Sequence, residues 1–124
     1  MEFNNQQAIY IQIAEMICER ILLKKFKEDE RIPSVREMAV QLEVNPNTVM
    51  RTYEFLQGKD IITNKRGVGY FVSTEGIAKA TDFRKNEFAE QELPKIFKTA
   101  QLLQISFEEL QKQYLAFIKN TPPA

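Results

Sequence analysis

Apolar residues in the first part of the chain recur with a helical period. Ile9, Ile13, Met16, Ile17 and Ile21 share one face, widened by Tyr10 and Ala14, while Gln6, Gln7, Gln12, Glu15 and Glu19 fall mostly off it. This predicts a surface helix over positions 8–23, lying on a small core. The period then stops at 24–31 (KKFKEDER), where charge concentrates. That segment reads as a connection, with Phe26 turned inward and the charges left in water.

The period resumes in two short runs joined with almost no slack. Ser34 and Glu37 have the Ser-x-x-Glu spacing of a capping box, in which each side chain satisfies an orphan amide of a helix start. Val35, Met38, Ala39 and Leu42 form the buried face of that helix, and the pattern ends at Glu43 and Val44. Asn45 supplies an N-cap oxygen and Pro46 takes the first helical position, where its missing N–H costs nothing. In this second helix Val49, Tyr53 and Leu56 make the apolar stripe, so Asn47, Thr48, Met50, Arg51 and Glu54 point elsewhere. The pair is a helix-turn-helix whose second member opens with short polar side chains and an arginine. Such a tip suits base edges in a major groove, where Asn pairs with adenine and Arg with guanine. The same pattern also describes a plain two-helix corner with a solvated outer face.

Gly58 is placed to end the second helix in a left-handed conformation. Ile61, Ile62 and Thr63 favour a strand, 64–67 (NKRG) a turn, and 68–72 (VGYFV) a returning strand. A hairpin directly after a recognition helix is a wing, and Lys65 and Arg66 at its tip would reach a phosphate or the adjacent minor groove. Read alone, two cations on an exposed turn also serve solubility.

Beyond position 73 the pattern is helical again. Ile77, Ala80, Phe83 and Phe88 begin an apolar side that resumes at Leu93, Ile96, Phe97, Ala100 and Leu103. Pro94 interrupts it at a cost of about 3 kcal/mol to a regular helix, which predicts a kink or break near 91–93. Ser106 and Glu109 form a second capping box ahead of a last helix with Phe107, Leu110, Tyr114 and Phe117 on one face. Short helices this rich in aromatics cannot bury them against each other, which favours a second copy of the chain as partner. The competing arrangement packs the segment back onto its own first domain. The last residues, 119–124, end in two prolines and should fray. The expected fold is mainly α with a small β-hairpin: a winged helix-turn-helix domain over 1–73, then a two-helix dimerisation segment over 74–124.

Composition narrows the functions. The chain has 124 residues, no histidine and one cysteine, Cys18, set among Met16, Ile17 and Ile21. Cys18 therefore reads as a buried small hydrophobe, with no disulfide framework. Without histidine, His-based zinc sites and Ser-His or Cys-His catalysis are excluded, and no convergent carboxylates or tyrosines suggest an enzyme. We expect no catalytic residues, no metal and no cofactor. No apolar run spans a bilayer and the N-terminus lacks the zones of a signal peptide, so a soluble cytoplasmic protein is expected. The 17 Lys and Arg balance the 17 Asp and Glu. That neutrality speaks against a simple electrostatic sponge, and it supports an alternative reading as a protein-interaction module that has left DNA. Within 31–72 the cations Arg31, Arg36, Arg51, Lys59, Lys65 and Arg66 nevertheless outnumber Glu37, Glu43, Glu54 and Asp60 by a small excess. Tight binding of double-stranded DNA would need specific contacts and two copies.

The ordered combination YIQIA at 10–14, IPSVREMA at 32–39, VNPNTV at 44–49 with Arg51 and Tyr53, and RGVGYFV at 66–72 resembles the GntR family of bacterial transcription regulators. The resemblance covers 8–72, and the short tail is similar to that of the YtrA subfamily, in which a small helical segment dimerises. It implies that Arg36 contacts DNA, that Asn45, Asn47 and Thr48 open the recognition helix, and that Gly67 is the wing glycine. Arg51 matches a position often arginine in that subfamily. With Ser34, Lys65 and Arg66 these form the candidate DNA-binding set. Lys24, Asp29 and Glu43 depart from the family, standing where it often has glycine, and Met50 occupies a recognition position that is polar or basic in some relatives. The implied activity is transcription regulation, most simply repression, by a homodimer on a palindromic operator. Residues 74–124 are too short to enclose a typical small-molecule pocket alone, which leaves the space between subunits near Pro94 open to an effector.

Overall fold

A computed structural model describes residues 1–123 and has the expected mainly α architecture, a winged helix-turn-helix followed by C-terminal helices. It divides into two compact units, the first Met1–Arg84 and the second beginning at Lys85. In the first, α1 (Ile9–Leu22), α2 (Val35–Leu42) and α3 (Pro46–Gly58) precede the antiparallel strands β1 (Ile62–Lys65) and β2 (Gly69–Val72), and α4 begins at Gly76. Ile13, Ile17 and Ile21 of α1 meet Met38 and Leu42 of α2 and Val49, Tyr53 and Leu56 of α3 in one core, closed beneath the wing by Ile61, Ile62 and Val72. Each such fully buried aliphatic side chain contributes about 1.5–3 kcal/mol. Phe26 packs against this core as expected, with the Arg20 guanidinium over its ring.

Some residues depart from the sequence expectation. Gln12 is buried, because its side chain bonds the N-terminal arm: it accepts from the Asn4 amide and donates to the carbonyls of Asn4 and Gln7. Gly58 is the last residue of α3 but not the left-handed one. It stays helical, and Asp60 takes the left-handed conformation at φ 60°. The reason is a Schellman closure, in which the Ile61 N–H reaches back to Leu56 O and the Asp60 N–H to Gln57 O, carrying buried Ile61 into the wing. The same paired bonds end α1 at Lys24, α2 at Glu43 and, in the second unit, α5 at Gln104, all with positive φ and none with glycine. Asp29 also has positive φ, at 60°. Three of these, Lys24, Asp29 and Glu43, are the departures from family glycine noted above. The hairpin is offset from expectation: Lys65 pairs with Gly69, so the loop is Arg66-Gly67-Val68 and the returning strand starts at 69.

Phe83 was expected among the dimerisation residues, but it is 7% exposed, packed edge-on against Phe55 at 5.4 Å in the first unit's core. It is therefore out of a partner's reach. α4 (Gly76–Glu87) also brings Arg84 to Glu15 and Glu19 of α1 at 3.4 and 3.2 Å. Its first residue sits so close to the wing that a Cβ on Gly76 would lie 2.8 Å from the Ile61 carbonyl oxygen.

In the second unit the interruption by Pro94 takes the form of a π-helical turn over Phe88–Glu92, closed by the Leu93 N–H on Phe88 O. The wider turn relieves the clash that proline imposes on the preceding turn. α5 (Leu93–Leu102) and α6 (Phe107–Asn120) follow. Ser106 caps α6 by accepting from the Glu109 N–H, but the second capping box is half-made. The Glu109 carboxylate instead accepts from Gln113 one turn on. Helix α6 runs on to Asn120, past the start of the tail expected to fray.

Candidate nucleic-acid interface

Three pieces of the first unit carry the candidate DNA-binding residues: the start of α2, the start of α3, and the wing. The start of α2 is fixed by the complete capping box, with the Glu37 N–H donating to Ser34 Oγ (3.1 Å) and the Ser34 N–H donating to the Glu37 carboxylate (2.9 Å). The Ser34 backbone bond, and after it the Ser34 side-chain bond, hold the Glu37 carboxyl below its ordinary range, so the cap is fully charged at neutral pH. Ser34 is thus engaged in capping, and Arg36 is exposed at the second position of α2.

At α3, Asn45 likewise caps the helix by accepting from the Asn47 N–H (2.8 Å), with Pro46 behind it. Asn47 and Met50 are exposed and Thr48 is half-buried. Arg51 is exposed too, but its guanidinium is stacked 3.9 Å from the centroid of the Tyr10 ring on α1. Thr52, unremarked in the pattern, is fully buried and donates to Tyr10 O, so α1 holds this side of the recognition helix at two adjacent points. Tyr53 ties the helix pair together by donating to the carbonyl of Pro33, the residue before the α2 cap, at 2.6 Å. Burial, with Tyr70 beside it, pushes the Tyr53 hydroxyl well above the usual phenol range, so it stays a donor.

The wing stands against this pair through Tyr70, whose ring meets Tyr53 edge-on at 4.8 Å and whose hydroxyl approaches Met50 Sδ at 4.0 Å. Lys65, Arg66 and Gly67 are exposed at the tip, Gly67 with φ 79° in the turn closed by the Val68 N–H on Lys65 O. Lys65 Nζ lies 4.2 Å from the Phe71 ring centroid. The segment 24–31 is more than a plain connection, because its end is paired to the wing. The Ile32 N–H donates to Tyr70 O, the Asp29 N–H to Val72 O and the Val72 N–H to Glu30 O, with Arg31 bridged to Phe71. Nothing local signals this pairing, because its partner lies about forty positions away in sequence. The Arg31 side chain passes over Gly69, where an added Cβ would sit 2.8 Å from Nε.

The remaining candidates lie on the second unit. Phe88, Ile96, Phe97, Leu103, Phe107, Tyr114 and Phe117 are exposed, Phe107 at 73%, while Leu93 and Leu110 are half-buried and Ala100 is buried. Leu102, Leu115 and Ile118 are exposed apolar residues that the pattern reading did not include. Among the described residues no cluster of three or more Cys, Asp or Glu side chains could hold a metal ion, and no helix is long and apolar enough to cross a membrane.

Comparison with known proteins agrees with this geometry. Residues 9–72 match the model for bacterial regulatory proteins of the gntR family. The uncharacterised HTH-type transcriptional regulator YhcF of Bacillus subtilis is 35% identical over 109 residues, covering 88% of both chains. The HTH-type transcriptional repressor YtrA of the same organism is 40% identical over 65 residues, 52% of this chain and 50% of that one. A solved structure described as a GntR-family transcriptional regulator from Bacteroides thetaiotaomicron superimposes with a TM-score of 0.72 at 46% identity, covering 91% of this chain and 98% of that one.

Proposed function

Since the chain belongs to the GntR family of bacterial regulatory proteins, and is thereby a DNA-binding transcriptional regulator, we propose that it works as a homodimeric repressor on a palindromic operator. The observation that carries this reading is the exposure of Arg36, Asn47 and Arg51 on a helix pair tied by the Tyr53–Pro33 bond. Each subunit would set α3 in a major groove, with half-sites one helical turn or a multiple apart. Arg36 and the wing cations Lys65 and Arg66 would hold phosphates while Asn47, Thr48 and Arg51 face base edges. Ser34 and Asn45 serve by capping, which fixes the starts of the two helices.

The exposed aromatics of α5 and α6 support dimerisation, and repression follows the relative YtrA, which is a repressor. The short helical tail also supports grouping the chain with the YtrA-like members of the family. An effector, if one is used, has an open groove along Pro94, Phe97, Ala100, Ile105, Phe107 and Leu110, which a second subunit would roof over.

The test is capture of genomic DNA fragments by the purified full-length chain, then titration of an enriched duplex. We expect a two-fold symmetric sequence, and a loss of at least about 1 kcal/mol of binding in Arg36→Ala. Enrichment of no sequence, or unchanged affinity in the variant, would refute the operator reading or the Arg36 role respectively.

A further inference from the structure

Arg31 lies outside the DNA-binding set, yet the backbone delivers it onto the wing. Its bridge to Phe71 fixes its side of the sheet. Phe71 is paired with Thr63, and Lys65 with Gly69, so alternation puts Arg31, Phe71, Thr63 and Lys65 on one face. The opposite face carries Ile62 and Val72 into the core. Gly69 keeps the path clear, because any side chain there would strike the Arg31 guanidinium at Nε, and its φ of 140° independently disfavours one. Arg31 is exposed and makes no ion pair among the described residues; its charge reaches Glu37 only as the smallest of the influences on that carboxyl.

Arg31 therefore stands where two elements meet. It is three residues ahead of the α2 cap and across the ladder from the wing, with Lys65 on the same face. A guanidinium set over Gly69 and an ammonium set over the Phe71 ring, on one face and not neutralised by acids among the described residues, suit the oxygens of a phosphodiester backbone. The geometry points to Arg31 as a further phosphate-contacting cation of the wing, acting with Lys65 on the DNA backbone. This rests on the DNA-binding reading above. As a contact to phosphate it adds affinity and salt dependence without altering which sequence is preferred.

The experiment compares the full-length wild type with Arg31→Gln and Arg31→Lys on a random-sequence duplex of about 30 base pairs, by fluorescence anisotropy across a salt series. Each phosphate contact adds about 0.9 to the slope of log affinity against log salt. Arg31→Gln is expected to flatten the slope by about that amount per bound subunit, and Arg31→Lys to restore it, with melting midpoints unchanged. A wild-type slope in Arg31→Gln, even alongside weaker binding, would overturn the proposal, since a structural role would lower affinity without removing a released counterion. A wild type that fails to bind at low salt would overturn the DNA reading itself, an outcome distinct from failure of the Arg31 assignment alone.

Discussion

Cys18 illustrates how a single side chain takes its chemistry from its surroundings. Burial, the largest influence, pushes its thiol up from 9.0 to about 12; nearby Arg84 works in the other direction. Because the folded value lies above the unfolded one, the thiol adds stability that is complete below about pH 9 and lost as pH rises toward 12. At pH 8 the thiolate that alkylating reagents need is scarce in the native state. Alkylation of Cys18 by iodoacetamide should therefore track unfolding, measured by mass spectrometry along a urea series; rapid modification in native buffer would contradict this. The burial of Cys18 could be read from its neighbours Met16, Ile17 and Ile21, since helical spacing is local information. Gln12 and Arg31 could not be read that way. Their partners are backbone groups of the N-terminal arm and the wing, and no helical periodicity encodes a bond to a segment outside the helix.

Helix starts and the positions of helix ends were legible, whereas the way the ends close was not. Ser34, Asn45 and Ser106 cap as their spacing implies, because an N-cap bond spans only two or three residues. The ends close on left-handed residues that are not glycine, which composition cannot flag. Left-handed backbone costs a non-glycine residue roughly 1–2 kcal/mol. Glu43→Gly is accordingly expected to stabilise the first unit by about 1 kcal/mol, read as a higher urea midpoint at unchanged slope. Equal or lower stability would show that the joint depends on the glutamate side chain. Between α2 and α3 the decisive tie is Tyr53 to Pro33. Removing the hydroxyl in Tyr53→Phe deprives the part-buried Pro33 carbonyl of this donor and should cost about 1 kcal/mol, measured by the same denaturation. The π turn before Pro94 was legible as an interruption, but its form was not, since proline specifies only that the regular helix must give way.

For the molecule as a whole, the exposed aromatics of the second unit set the expected assembly. Introducing charge on this face through Phe97→Glu combined with Phe117→Glu should shift the full-length protein from dimer toward monomer by light scattering at micromolar concentration, and weaken binding to a two-half-site duplex far more than to a single half-site. An unchanged mass would remove this face from the interface. The winged helix-turn-helix architecture was readable from pattern because each of its parts is short and locally signalled. Phe83 was misplaced because an apolar helical face does not say which body it belongs to, and here it fills the space beside Phe55. The ladder between 30–32 and β2 has one more consequence. A wing joined only at its base could peel away and leave the recognition helix undisturbed. This one is zipped to the strand that feeds α2, so loosening the tip also unfastens the entry to the helix pair. Hydrogen exchange at the Ile32 and Val72 amides should then rise together, and whatever grips the wing braces the whole reading head.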